Sequence, residues 1–122
     1  MRTMRDTVRI ERGRSGEQAA LERYRTFGYR LVARNWRCAL GELDLVLERD
    51  GVLVVCEVKA RTSATFGAGW EAVTPAKRRT IRRVTEAFLA AVRPSIRAVR
   101  FDVASVRLLP RGAEIHVFED AF

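Results

Sequence analysis

The chain has 122 residues, 48% of them hydrophobic, and its 23 basic against 15 acidic residues give a net charge of +8. This length suits one core, and the hydrophobic share excludes a disordered chain. No apolar run reaches the length of a membrane span, and the charged N-terminus lacks the apolar stretch of a signal peptide. We therefore expect a cytoplasmic protein without a membrane partner. The positive charge favours a polyanion such as nucleic acid as the partner.

The first part of the chain divides into an arm and a helix. Residues 1–13 are charged and show no apolar period, which predicts a mobile basic arm ahead of a single domain over residues 14–122. Apolar residues then recur at helical spacing over about 16–27, and Gly28 can end this helix in the left-handed conformation. Phe27 falls on the apolar face and is expected in the core.

Three strands are predicted after this helix. Residues 29–36 alternate between apolar and basic side chains, and a loop follows over 37–41. Residues 42–48 and 52–60 are rich in branched apolar side chains. Asp50-Gly51 stands between these two runs, and this dipeptide is the strongest short signal for a β-hairpin.

The second half of the chain predicts a helix and two more strands. Residues 61–73 have no clear period and indicate a long loop, after which a helix runs from its cap at Thr74 to about Arg93. Strands follow at about 97–109 and 114–118. The order αβββαββ predicts an α/β fold with one mixed sheet and flanking helices.

The predicted hairpin brings charged residues together. With Asp50 and Gly51 as the turn, counting outward places Asp44 directly opposite Glu57. Because strand side chains alternate, Asp44, Glu57 and Lys59 are all expected on the same face. Two opposed carboxylates on neighbouring covered strands repel each other, so their repulsion must be compensated.

Three kinds of compensation are open at this point. One is a divalent cation, Mg²⁺ or Mn²⁺, held by Asp44, Glu57 and the main-chain carbonyl of Val58. A second is a proton shared between the two carboxyls, and a third is a salt bridge to Lys59 or Arg61. The cation accounts for the whole set, because it could activate water while Lys59 positions that water and Arg61 holds a neighbouring phosphate.

Several short motifs resemble the YraN-like family of small bacterial proteins, and the resemblance covers about residues 13–122. That family is similar to the archaeal Holliday-junction resolvases of the PD-(D/E)XK nuclease superfamily. The motifs are Gly-Glu-Gln-Ala-Ala at 16–20, Arg-Asn-Trp-Arg at 34–37, Gly-Glu-Leu-Asp-Leu at 41–45, Glu-Val-Lys-Ala-Arg at 57–61, Lys77 and Phe-Asp-Val at 101–103.

The resemblance implies a restriction-endonuclease-like fold and assigns roles to individual residues. Asp44 and Glu57 would be metal ligands, Lys59 the catalytic lysine, and Glu17 a further acid that reaches the site from the first helix. An acid in the first turn of a helix also suits the helix dipole, so Glu17 has a purely structural explanation as well. Leu43 stands where many superfamily members have a proline.

The predicted function is hydrolysis of phosphodiester bonds in DNA, especially branched or structured DNA, by a Mg²⁺- or Mn²⁺-dependent endonuclease. Lys77, Arg78 and Arg82 on the second helix could bind the phosphate backbone, although basic runs on helices are commonly solvated faces. The alternative is a non-catalytic nucleic-acid-binding module or an assembly factor that keeps the nuclease fold. A homodimer would suit a two-fold branched substrate.

Overall fold

The computed structural model describes residues 3–62 and 73–122, which form two helices and five strands. The elements follow the predicted αβββαββ order, so the fold class is confirmed. Neither helix in this part of the chain combines the length and the apolar character that crossing a lipid bilayer requires. The elements are α1 (Met4–Thr26), β1 (Arg30–Cys38), β2 (Gly41–Arg49), β3 (Val52–Arg61), α2 (Pro75–Val92), β4 (Ala98–Leu108) and β5 (Ala113–Phe118).

The five strands form one mixed sheet in the order β1-β2-β3-β4-β5. Strands β3 and β4 are parallel, because α2 returns the chain to the end of the sheet at which β3 begins. The other neighbouring strands are antiparallel. The helices cover opposite faces. Tyr24 and Leu21 of α1 pack on one side of the sheet, and Ile81, Val84 and Phe88 of α2 pack on the other.

Two local signals act as the sequence predicts. Asp50 and Gly51 both adopt positive φ, 52° and 81°, and Arg49 pairs with Val52 across the turn. Positive φ at both central residues matches the twist of the flanking strands. Thr74 caps α2, and its hydroxyl accepts a hydrogen bond from the Lys77 N–H at 3.1 Å.

The boundaries of the first elements differ from the prediction. Helix α1 begins at Met4, whereas residues 1–13 were expected as an arm and the helix at about 16. The added turns contain good helix formers and no proline, and a helix can form without an apolar period. Strand β1 extends to Cys38 and β2 begins at Gly41, so the predicted loop over 37–41 shortens to a two-residue turn. Residues 63–72 of the predicted 61–73 loop lie outside the described residues.

Phe27 is not in the core, contrary to the prediction. Its side chain is 54% exposed, and the guanidinium of Arg23 lies 4.8 Å from its ring centroid. The reason is that α1 ends at Thr26 and Gly28 turns the chain with φ of 84°, which carries Phe27 past the last packed turn.

A buried polar network joins α1 to the centre of the sheet. Asp102 is fully buried and accepts hydrogen bonds from the Tyr24 hydroxyl at 2.7 Å and from two guanidinium nitrogens of Arg100, both at 2.9 Å. The backbone N–H of Asp120 donates to the same carboxylate at 3.0 Å. A buried carboxylate is stable only when its charge and lone pairs are matched in this way.

We expect Asp102→Ala to destabilise the fold by about 3 kcal/mol, because the substitution leaves the Arg100 charge and the Tyr24 hydroxyl partly buried without their partner. Tyr24→Phe removes a single hydrogen bond and should cost about 1 kcal/mol. Urea unfolding measures both changes. The exposed ion pair of Arg107 with Glu114 provides the control, since Glu114→Ala should change stability by less than about 1 kcal/mol. Equal effects of Asp102→Ala and Glu114→Ala would contradict this account.

Candidate active site at a break in the sheet

The antiparallel ladder between β2 and β3 ends in the middle of the sheet. The paired residues run from Arg49 and Val52 at the turn to Leu45 and Cys56. Beyond that pair, the carboxylate of Asp44 accepts a hydrogen bond from the backbone N–H of Val58 at 2.8 Å. A side-chain oxygen therefore takes the place of a ladder carbonyl, and β2 separates from β3 at this point.

The neighbouring strand β1 changes faces beside this break. Arg34 bonds to Glu17 of α1 on one side of the sheet, whereas Trp36 packs edge-to-face on Phe88 of α2, 5.2 Å between ring centroids. Regular alternation would place residues two apart on the same side. The residue between them, Asn35, has φ of 52°, and this left-handed conformation turns the chain over.

Strand β2 changes faces at the corresponding position. Leu45 belongs to the α1-side core and Leu43 to the α2-side core, although strict alternation would put both on one side. Asp44 lies between them and stands opposite Asn35 in the register. The prediction that Asp44 faces Glu57 across a regular ladder is therefore wrong in detail, because the two carboxyls meet in the break and not across paired strands.

The carboxyls of Asp44 and Glu57 are nevertheless neighbours, because Asp44 bonds to the backbone N–H of Val58, the residue next to Glu57. Burial first, and then the negative charge of Glu57, raise the pKa of Asp44 to about 7 against the opposing effect of the Val58 N–H. Burial likewise raises the pKa of Glu57, which is only 7% exposed, against the effect of two nearby lysines. The pair can thus hold a proton in place of one negative charge.

Both lysines of the chain point at Glu57. Their Nζ atoms lie 3.9 Å (Lys59) and 3.7 Å (Lys77) from the same carboxylate oxygen, Oε1. The other 21 of the 23 basic residues are arginines. An ammonium is compact and can give up its proton when it is desolvated, which a guanidinium cannot do. Both lysines of the chain are therefore directed at one buried carboxylate.

The contact between Lys77 and Glu57 is not predicted by the sequence pattern, from which Lys77 was expected only to bind phosphate. Lys77 lies in the first turn of α2, which has no acidic residue. The helix dipole disfavours a cation there, so the lysine is not explained by helix stability. Its rarity and its unfavourable helix position are the signals that could have indicated a role at the site.

Glu17 reaches the neighbourhood of the site, but its own carboxylate is engaged. It accepts hydrogen bonds from Arg34 at 3.3 Å and from Asn35 at 3.1 Å, and its charge contributes to raising the pKa of Asp44. The close approach of α1 to β3 depends on Gly16, since a Cβ there would lie 2.6 Å from the Cβ of Ala60. Glu17 thus holds Asn35 from the side of α1, at the position where β1 and β2 change faces.

The described residues around the break fit a small divalent cation, but they supply only two carboxyl groups. Within residues 3–62 and 73–122, no three His, Cys, Asp or Glu side chains converge on a common point. Two carboxyls, Asp44 and Glu57, remain as ligands. The Val58 carbonyl adds a third oxygen, because N–H and C=O of one strand residue point the same way and its N–H faces Asp44. Three protein oxygens leave room for water and phosphate, as Mg²⁺ prefers.

The three arginines expected to bind nucleic acid lie in different surroundings. Arg61 is the last residue of β3, two residues beyond Lys59. Arg78 donates to the Val73 carbonyl at 3.0 Å, and Arg82 donates to the main-chain oxygen of Phe122 at 2.6 Å. Arg78 and Arg82 therefore anchor neighbouring parts of the chain on the α2 side, and only Lys77 of the helix set contacts the paired acids.

Fold and site together define a small α/β protein with a paired-carboxylate, two-lysine centre at a break in its sheet. The model of the uncharacterised protein family UPF0102 matches residues 16–106. UPF0102 proteins of Mycolicibacterium vanbaalenii and Symbiobacterium thermophilum are each 44% identical over 100 residues, covering 82% of this chain and 83% and 85% of theirs. That of Mycolicibacterium smegmatis is 43% identical over 107 residues, 86% of each chain. The chain belongs to the UPF0102, or YraN-like, family, as its motifs predict.

The raised pKa of Asp44 makes stability depend on pH. The unfolded carboxyl releases its proton near 3.8 and the folded one near 7, so between these values the native state binds more protons and rising pH favours unfolding. In a chelator, the original chain should lose about 3 kcal/mol relative to Asp44→Asn between pH 4 and pH 8. Urea unfolding of both proteins across that range measures the difference. Parallel stability curves would contradict the shift.

Proposed function

We propose that this protein is a Mg²⁺- or Mn²⁺-dependent endonuclease that hydrolyses phosphodiester bonds in DNA. The observation that carries the proposal is the proximity of the buried Asp44 and Glu57 at a break of the sheet, with both lysines of the chain directed at Glu57. A fold gains nothing in stability from two buried acids side by side. Such a pair is explained by a ligand that needs both.

The paired acids would exchange their proton for a cation. Asp44, Glu57 and the Val58 carbonyl would hold the ion, and binding would release the proton that the raised pKa of Asp44 retains. When bound, a divalent cation lowers the pKa of a water ligand and offsets negative charge on a phosphate. The Val58 N–H keeps one Asp44 oxygen fixed, so the carboxylate is already oriented before any ligand arrives.

The two lysines would serve the phosphate. Both contact Glu57 through the same oxygen, so a cation that engages Glu57 would release at least one ammonium toward the substrate. Lys59 extends from β3 and is 29% exposed, which suits a residue that orients the attacking water and stabilises charge on the phosphate. Lys77 is 45% exposed at the start of α2 and is placed to hold a phosphate oxygen from the other side.

DNA as the substrate is supported by charge and by resemblance. The net charge of +8 would attract a polyanion and steer it toward the surface. The motif resemblance to Holliday-junction resolvases favours branched or otherwise structured DNA over a plain duplex. A homodimer would present two such sites to a four-way junction.

One observation favours a second function. Glu17 is bonded to Arg34 and Asn35, so the described residues provide two acids at the site and not three. A chain of this kind could keep the nuclease fold and bind nucleic acid, or help to assemble a larger complex, without cutting. Cleavage with and without metal separates this alternative from the main proposal.

We expect Glu57→Ala and Lys59→Ala to reduce DNA cleavage at least a hundredfold while leaving DNA affinity within about threefold, because both residues serve the transition state. The measurement is a cleavage screen over linear, flapped and four-way DNA with and without Mn²⁺, with affinity followed by gel shift. Glu86→Ala, an exposed acid on α2, is the matched control and should cleave normally. Cleavage that survives both site substitutions would show that the activity arises elsewhere.

Mn²⁺ should stabilise the folded chain, because binding relieves the repulsion of the paired acids only in the native state. At a hundredfold excess over Kd, the gain is about 2.7 kcal/mol, which raises the melting temperature by several degrees. Thermal unfolding measures the change. Asp44→Asn and Glu57→Gln should abolish it, and Glu86→Ala should keep it. An unchanged melting temperature would count against the metal site.

A further inference from the structure

A groove runs along α1 beside the free edge strand β5. Its volume is about 730 Å³, its floor includes Ala19 and Ile115, and three arginines line it. Arg14 and Arg34 lie beside the middle of α1, where Arg34 bonds to Glu17. Arg23 lines the groove further along the helix. The groove therefore follows α1 from the Arg34–Glu17 contact toward the C-terminal end of the helix.

A second cavity of about 360 Å³ continues this groove at the C-terminal end of α1. Arg23 lines both cavities, which makes them neighbours. The second cavity is surrounded by ring-bearing and basic side chains from α1, from the two strands at the far end of the sheet and from β5. They include Phe27, Tyr29 and Arg49.

The aromatic rings and the arginines of this cavity are held in fixed positions. Arg23 lies 4.8 Å above the Phe27 ring and Arg49 lies 4.6 Å above the Tyr29 ring. Arg49 also donates a hydrogen bond to the Phe27 carbonyl at 2.7 Å. Phe27 is 54% exposed, although an exposed phenylalanine contributes nothing to the core. Stacked guanidiniums beside an open ring are the arrangement with which proteins bind bases and phosphates together.

The acidic residues of the two cavities do not cancel this charge. Glu22 lines the groove and accepts a hydrogen bond from Gln18 at 3.2 Å. Glu119 lines the aromatic cavity and lies 3.7 Å from Arg100, a cation outside the cavity lining. The balance along the path is positive, which favours an anionic chain over a neutral or basic one.

We propose that the groove binds a single-stranded nucleic-acid segment, with its phosphates along the arginines and one base stacked in the Phe27 cavity. The inference rests on the proposed function for the identity of the strand. From Glu17, beside the site, to Phe27 is ten residues of helix, about 15 Å. The substrate would thus be a branched DNA with an unpaired arm of at least that length.

The test is metal-free binding of a labelled ten-nucleotide single strand, measured by fluorescence anisotropy in chelator. We expect Phe27→Ala and Arg23→Gln each to weaken binding about tenfold, since stacking on one aromatic residue and one phosphate contact contribute that order of affinity. Phe27→Trp should retain binding. Arg83→Gln, which removes one charge from exposed α2, should weaken it less than threefold. Equal losses for Arg23→Gln and Arg83→Gln, or no loss for Phe27→Ala, would overturn the proposal.

Three further probes identify the occupant. A blunt duplex of the same length should be insensitive to Phe27→Ala, and equal sensitivity would overturn the assignment to a single strand. Adenosine monophosphate should bind far more weakly than the decamer, and equal affinity would mean a free-nucleotide site and no strand-binding groove. A deca-glutamate peptide that binds as tightly, with the same dependence on Phe27, would overturn the assignment to nucleic acid.

Glu57→Ala separates this inference from the proposed function. The variant should bind the single strand like the original chain, because the groove does not use Glu57. Single-strand binding that depends on Phe27, in a protein that cuts no DNA, would support the groove and refute the nuclease. Cleavage of branched DNA that is indifferent to Phe27→Ala would support the nuclease and refute the groove.

Discussion

The backbone N–H of Val58 donates to the side chain of Asp44, and this hydrogen bond connects the candidate site to the sheet. It satisfies a strand donor that would otherwise lack a partner once the ladder ends at Leu45 and Cys56. It also holds one carboxylate oxygen in place. The backbone at the break is therefore hydrogen-bonded, because Asp44 substitutes for the missing strand contact beside Glu57.

The electrostatics of the site follow from that placement. Burial disfavours the charged form of both acids and so raises their pKa values. Two lysines, one from β3 and one from α2, approach Glu57 and oppose this effect. Lys77 lies in the first turn of α2, where the helix dipole disfavours a cation, and the Thr74 cap fixes the start of this helix. Two neighbouring features therefore lower the stability of the fold: the paired acids and the cation in the first turn of α2. Such destabilising features, close together, are typical of functional sites.

The sequence predicted those features that depend on near neighbours in the chain. Asp50-Gly51 fixed the hairpin, and Thr74 with Pro75 fixed the start of α2, because each works through its own backbone angles. The change of faces at Asn35 and Asp44 was not predictable, since alternation is the only pattern that a strand displays. The exposure of Phe27 and the contact of Lys77 with Glu57 depend on how separate elements pack, which no local pattern encodes.

The contact of Gly16 with Ala60 shows how closely α1 packs on the sheet. Helix and strand touch there without side-chain spacers, so the depth of α1 above the sheet is defined to within the width of one methyl group. Glu17 follows immediately, and its hold on Asn35 depends on that depth. A neutral, apolar position thereby governs the alignment of charged groups several ångströms away. Tolerance to mutation around this centre should accordingly follow backbone clearance more closely than chemical similarity.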